Sequence, residues 1–270
     1  MPIAATQLYV WSQIYHREGR DLEAGLGDVL ADVAAAGYPA VEGWLTACTT
    51  EETARRFRSL LDEYGLILIS LYTGGCYYEP ERARQSLEAL LPAAERAAAM
   101  GCPAICMNPD VTRERKTDDA LKLQAEWLNR AGAALRERGL ELWLHNHDPE
   151  MREDGRELRS NLDHTDPTLV GFCADTHWIY RGGGDVMAYL DEYGSRIRSL
   201  HLRNSQNGVW SEMLGDGDLD YRAIAAKLKE LRFDGPLIVE LAIEEGTPQT
   251  RPLVESMRLS REYVRRVFEV

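Results

Sequence analysis

Residues 118–139, DDALKLQAEWLNRAGAALRERG, carry apolar positions at helical spacing, and residues 140–148, LELWLHNHD, switch to a short apolar run that ends in polar side chains. A glycine stop at Gly139 separates the two. A helix that delivers a strand with a polar end is a building block, so the next question is whether it repeats. It does. Upstream, TQLYVWS (6–12), YPAVEGWL (38–45), LILISLYTGG (66–75) and PAICMNP (103–109) read as strands. Downstream, LVGFCADTH (169–177), RSLHLRN (198–204) and PLIVELAI (236–243) read the same way. Amphipathic segments lie between them, including TEETARRFRSLLDEYG (50–65), which starts on a capping Thr and stops at a Gly. A helix over GRELRSNLDHTDPT (155–168) reads as weak, and LVESMRLSREYVRRVFEV (253–270) closes the chain as a helix. Eight strands, each followed by a helix-sized segment, predict an α/β fold of the (β/α)8 TIM-barrel type over residues 1–270 as one domain. The competing doubly wound sheet calls for a glycine-rich phosphate turn after an early strand, and WSQIYHREG offers none.

Length and composition agree. The 270 residues suit one barrel, with 44% hydrophobic and 28% charged residues and no low-complexity tract. A net charge of −13 repels nucleic-acid phosphates and anionic lipid, so neither is expected as a partner. The basic clusters RRFR (55–58) and RERK (113–116) read as solvated helix faces. No run of eighteen apolar residues and no signal-peptide pattern occurs, which predicts a cytoplasmic protein. Cys48, Cys76, Cys102, Cys106 and Cys173 lack a pairing framework and read as buried free thiols.

In a barrel, chemistry sits at the carboxyl ends of the strands. The last four strands end in HNHD, ADTH, HLRNS and ELAIEE, so His145, Asp175, His201 and Glu240 each terminate a different strand and can converge. Imidazole nitrogen with carboxylate oxygen is the ligand set of a divalent-cation site with open positions. Glu240 is the most telling, because LIVEL otherwise reads as a buried strand in which a lone carboxylate costs several kcal/mol. The competing reading for Glu240 is an ion pair with Arg203.

The motifs LWLHNHD, FCADTHW, SLHLRNS, GDGDLDY and LIVEL together resemble the sugar phosphate isomerase/epimerase family, the xylose isomerase-like barrels that also include endonuclease IV. The resemblance follows strand order over the whole chain, with its specific motifs between residues 140 and 245. It implies one divalent ion, manganese first with Mg2+, Co2+ or Zn2+ open, held by Asp175, His201, Glu240 and a residue at the end of the fifth strand. That last position is a Glu in the family and His145 here, so an epimerisation run by two ligand glutamates is not expected in its usual form. The HNHD ending resembles the branch of inosose dehydratase-like and keto-glycoside lyase proteins. His147 or Glu150 remains an alternative fourth ligand, and His147, Glu150 and Glu240 stand as catalytic candidates. His177, Arg203 and Trp178 are the candidate substrate contacts, with Tyr180 as a further wall; Arg203 also has a structural ion pair as its alternative.

The expected chemistry is removal of a proton beside the carbonyl of a keto-sugar or cyclitol, giving isomerisation or epimerisation, with dehydration or elimination as the alternative outcome. An endonuclease IV-like site needs further histidines on the early strands, and through residue 144 the chain has only His16. A barrel without turnover, serving as a subunit of a heteromeric enzyme, is the remaining alternative, and a homo-oligomer is equally open.

Overall fold

A computed structural model describes residues 2–110, 112 and 114–270. The strands are β1 (Ala4–Gln7), β2 (Ala40–Trp44), β3 (Ile67–Gly75), β4 (Ala104–Pro109), β5 (Glu141–His145), β6 (Val170–Asp175) and β7 (Ile197–Leu202). A small antiparallel hairpin, β8 (Ser205–Gln206) and β9 (Val209–Trp210), precedes β10 (Leu237–Val239). Eight of them pair in parallel and close a barrel in the order β1, β10, β7, β6, β5, β4, β3, β2. Around it run α1 (Tyr9–Arg17), α2 (Leu26–Ala35), α3 (Glu51–Tyr64), α4 (Pro80–Ala99), α5 (Asp118–Arg136), α6 (Asp148–His164), α7 (Thr176–Arg181), α8 (Val186–Tyr193), α9 (Tyr221–Glu230) and α10 (Leu253–Phe268). The predicted TIM barrel is the observed architecture.

Two hydrophobic regions hold it. The larger lies between strands and helices, and a smaller one fills the barrel interior with Ala5, Ala40, Ile69, Ala104, Cys106, Trp143, Cys173 and Ile238. Three alanines beside one Trp are the small-and-large complement that a closed barrel requires. All five cysteines are buried and free, as expected. Among the described residues no helix is long and apolar enough to cross a membrane.

The structure moves several boundaries. β1 is Ala4–Gln7, whereas Tyr9–Arg17, much of the expected first strand, is helical and buries Val10, Trp11 and Tyr15. The true strand was inconspicuous because its small Ala4 and Ala5 lack the β-branched signature. The weak helix is real but broken: α6 carries left-handed backbone at Glu153, Asp154 and Gly155. A side chain at Gly155 would run into the Tyr189 hydroxyl, 1.8 Å from where its Cβ would stand. In RERK, Arg113 lies outside the described residues and Arg115 is exposed, but Lys116 is buried, a correction to the solvated reading. Its ammonium donates to Gln124 Oε1 (2.9 Å), Glu157 Oε1 (2.5 Å) and the Asp110 carbonyl (3.1 Å), tying the loop after β4 to α5 and α6.

Candidate metal centre at the strand ends

Strand register assembles the centre. Asp175 and His201 are direct partners across β6 and β7, and His145 is the last residue of β5. Glu240 follows β10, where its N–H donates to the Leu202 carbonyl and keeps it in line with β7. One donor atom from each of His145, Asp175, His201 and Glu240 lies within 4.8 Å of the other three. All four residues are at most 6% exposed. The four sequence-predicted ligands therefore form one dry cluster.

Four polar groups buried this deeply call for partners. They find them incompletely. Neither ring nitrogen of His145 makes a hydrogen bond, and its Nε2 lies 3.5 Å from Asp175 Oδ2. Arg203 supplies the nearest positive charge: its Nη2 contacts Asp175 Oδ2 and lies 2.8 Å from Glu240 Oε2. The ion pair weighed against metal binding is thus present. Against the upward push of burial, Arg203 and then His145 hold Asp175 well below the usual carboxylate range. Glu240, also opposed by burial, is drawn down to about 2 by Arg203 and His201. The guanidinium answers the carboxylates and leaves His145 with only a 3.5 Å contact to Asp175 and no hydrogen bond of its own. A cluster of two imidazoles and two carboxylates in which one histidine lacks a hydrogen bond fits a divalent cation with nitrogen and oxygen preference.

The HNH run now has a structural reading. His145 joins the cluster, while Asn146 clamps the neighbouring strand end, accepting from Asp175 N–H (3.0 Å) and donating to its carbonyl (3.3 Å). The strand stops at His145, yet the His147 ring stays beside it, with centroids 4.6 Å apart. Burial, with His145 next in weight, lowers His147 to about 3, so its ring is neutral near pH 7, and its Nδ1 has no partner.

Glu150 stands apart from the cluster. Its Oε1 accepts from Asn108 Nδ2 (2.9 Å) and its Oε2 from the His147 N–H (3.0 Å), an arrangement that fixes the start of α6. Burial, then Glu157, raises this carboxyl to about 7 from the ordinary 4.5. A folded-state pKa above the unfolded one means that its contribution to stability is full below about 4.5 and is lost as pH rises through about 7. The shift corresponds to on the order of 3 kcal/mol. Glu150→Gln is expected to be more stable than the parent at pH 8 and to lose that advantage near pH 4.5, once Asn108 turns its amide to accept from the new Gln. Paired denaturant unfolding curves at the two pH values check this; a gain that does not depend on pH would defeat it.

The predicted substrate contacts gather on one side. The Arg203 guanidinium lies 5.4 Å from the Trp178 ring centroid and 5.1 Å from that of Trp210. His177 sits on α7, not on a strand, packed edge-on to Trp210 at 4.6 Å. Its Nε2 lies 3.0 Å from Ser205 Oγ, which donates to Asp218 Oδ2 at 2.6 Å. Burial, then Arg203, keeps His177 neutral by lowering it to about 4. Tyr180 is exposed beyond it. On the opposite side Trp44 meets Tyr72, which meets His145 at 5.5 Å. Sequence reasoning missed Trp210, Asn146, Asp218 and Glu42, whose carboxylate lies 3.0 Å from His201 Nε2. For Trp210 the Asn207–Gly208 hairpin turn was an available signal, since both residues have positive φ and Asp218 accepts from both N–H groups.

A family model described as the xylose isomerase-like TIM barrel matches residues 30–263. The chain belongs to this family. Inosose dehydratase of Geobacillus kaustophilus is 29% identical to it over 90% of this chain and 89% of its own. For the Clostridium tetani inosose dehydratase the identity is 26%, over 55% of each chain, so that match spans about half of the relative's length. Among solved structures, a sugar phosphate isomerase/epimerase from Parabacteroides distasonis superposes with a TM-score of 0.76 at 23% identity, covering 97% of this chain and 92% of that one. D-psicose 3-epimerase from Clostridium cellulolyticum, determined with D-tagatose, gives 0.78 at 12% identity and covers 99% and 100%. At these identities the two structures speak for the fold.

Proposed function

We propose that this chain is a divalent-metal-dependent lyase that removes the C–H beside the carbonyl of a keto-cyclitol or keto-sugar and expels a hydroxyl as water. The observation that carries the reading is the end of β5. There His145 leaves Glu240 as the one glutamate in the four-residue cluster, so a pair of ligand glutamates that exchange a proton across a carbon is not present in it. The similarity to an inosose dehydratase over 90% of the chain supports the same outcome.

His145, Asp175, His201 and Glu240 would hold the ion, most naturally manganese, with Mg2+, Co2+ or Zn2+ compatible with the same donors. When bound, such an ion supplies Lewis-acid polarisation of the carbonyl and so acidifies the neighbouring C–H. His147, neutral and with Nδ1 unpartnered, takes that proton. The C–H electron pair becomes the new C=C bond, conjugated with the carbonyl, as the C–O bond to the departing hydroxyl breaks. The imidazolium formed at His147 returns its proton to that hydroxyl, which leaves as water. His177, kept neutral, orients substrate hydroxyls, and Trp178 with Trp210 walls the ring plane. Glu150 acts by holding His147 in place rather than by touching substrate.

Epimerisation or isomerisation shares the first step, so products decide. The experiment is incubation of the manganese-loaded protein in deuterated water with a panel of inososes, keto-sugars and 3-keto-glycosides. Loss of water and growth of an enone chromophore are expected for a keto-cyclitol. Deuterium beside the carbonyl without elimination would reassign the chain to epimerisation or isomerisation. Full retention of the original C–H with neither outcome would sink proton abstraction altogether.

A further inference from the structure

The carboxylate of Glu42 is buried inside the barrel with 0% exposure, and nothing in the proposed reaction uses it. A strand irregularity between Val41 and Glu42 sets Glu42 opposite Ser70 on β3. Ser70 Oγ donates to Glu42 Oε2 at 2.5 Å. The other oxygen, Oε1, lies 3.0 Å from His201 Nε2, at ion-pair distance but without the alignment of a hydrogen bond, while His201 Nδ1 lies 2.9 Å from Glu240 Oε2. Ser70, Glu42 and His201 are all fully buried. The His201 ring therefore has two distinct edges: Nδ1 looks toward the acidic cluster and Nε2 looks away from it, to Glu42.

A neutral imidazole can give a lone pair to a cation from only one nitrogen, and the proton must stay on the other. A carboxylate placed at Nε2 selects the Nε2–H tautomer and raises the basicity of Nδ1. Burying Glu42 is costly unless it faces a donor. Arg203 is already committed to Asp175 and Glu240, which leaves His201 and Ser70 as the partners seen among the described residues. We infer that Glu42, anchored by Ser70, is a positioning residue whose charge, 3.0 Å from Nε2 of His201, keeps the proton on that nitrogen and so commits Nδ1 to the cation. The inference rests on the four-residue metal centre proposed above. Cys106 and Cys173 also approach His201, with donor atoms within 4.8 Å of one another, but a thiol is a weak acceptor beside a carboxylate.

The test is titration of chelator-stripped protein with manganese alone, reading the free aquo ion by electron paramagnetic resonance. Glu42→Leu is expected to weaken binding by about 10–100-fold, the range for partners behind a metal ligand. Glu42→Gln, which keeps an oxygen able to face Nε2 but not the charge, should fall between Leu and the parent. Cys173→Ala should match the parent. Selectively labelled magnesium-loaded protein should show the His201 proton on Nε2 in a nitrogen–proton correlation spectrum, and lose that preference in Glu42→Leu. Parent-like manganese affinity in folded Glu42→Leu and Glu42→Gln overturns the inference, as does a larger loss in Cys173→Ala than in Glu42→Gln. If Glu42→Leu does not fold, Glu42→Gln and Ser70→Ala decide by the same titration, with parent-like affinity in both counting against the inference. Binding that depends on His201 but not on Glu42 removes this inference and keeps the metal centre. A parent protein that binds no manganese removes both.

Discussion

His147→Ala is expected to keep manganese affinity within a few-fold of the parent and to lose about 10²–10⁴-fold in turnover, the usual range for a positioned acid or base. The split follows from the geometry. His147 lies two residues beyond the end of β5, its ring beside that of His145 but outside the group of four whose donor atoms converge. It is also neutral near pH 7, because burial and the adjacent His145 disfavour a charged ring. Removing it takes away a proton acceptor and leaves the donors in place. Manganese titration and turnover on one preparation read the two effects separately. If His147→Ala strips the metal, His147 and His145 have exchanged roles. If turnover persists, the base is elsewhere, and Glu240 becomes the next candidate.

Much of this was legible in the sequence, and the reasons lie in particular residues. The barrel was readable because most strands are short apolar runs between helical segments, and β2 to β6 lie within the predicted runs. The four cluster residues were readable because each stands at the polar end of such a run, where a barrel places its chemistry. Register then did what no pattern shows, setting Asp175 directly against His201. The errors have equally local causes. Ala4 and Ala5 look like no strand, yet a small residue at Ala5 is what the crowded barrel interior beside Trp143 accepts. Lys116 looked like one more surface charge in RERK because its partners Gln124 and Glu157 come from two different helices. Glu42 was visible at the end of the second strand, but its role depends on His201, which only barrel closure brings within 3.0 Å. His177 looked like a strand-end residue, whereas Asp175 caps a new helix by accepting from the Trp178 N–H at 2.8 Å.

Asp175→Asn and Glu240→Gln are expected to lower manganese affinity by more than about 100-fold, exceeding the effect of any partner that only supports a ligand. The isosteric amides are chosen because both carboxylates also neutralise Arg203. Truncation to Ala would strand a buried guanidinium and cost about 3–5 kcal/mol, confounding folding with binding. Asn at 175 keeps one oxygen that can cap α7, and its amide N–H then faces Arg203, which is left to pair with Glu240. In the parent, saturating manganese at about 100 times its dissociation constant should add about 2.7 kcal/mol of stability by mass action. That increment should vanish in both variants, while their metal-free stability falls only by the weakened pairing with Arg203. The metal-free parent should itself stay folded, since Arg203 already offsets the two carboxylates within the cluster. Elemental analysis and thermal unfolding with and without manganese measure all of this. Undiminished metal in both variants would remove Asp175 and Glu240 from the centre and return their acidity to a purely structural ion pair with Arg203.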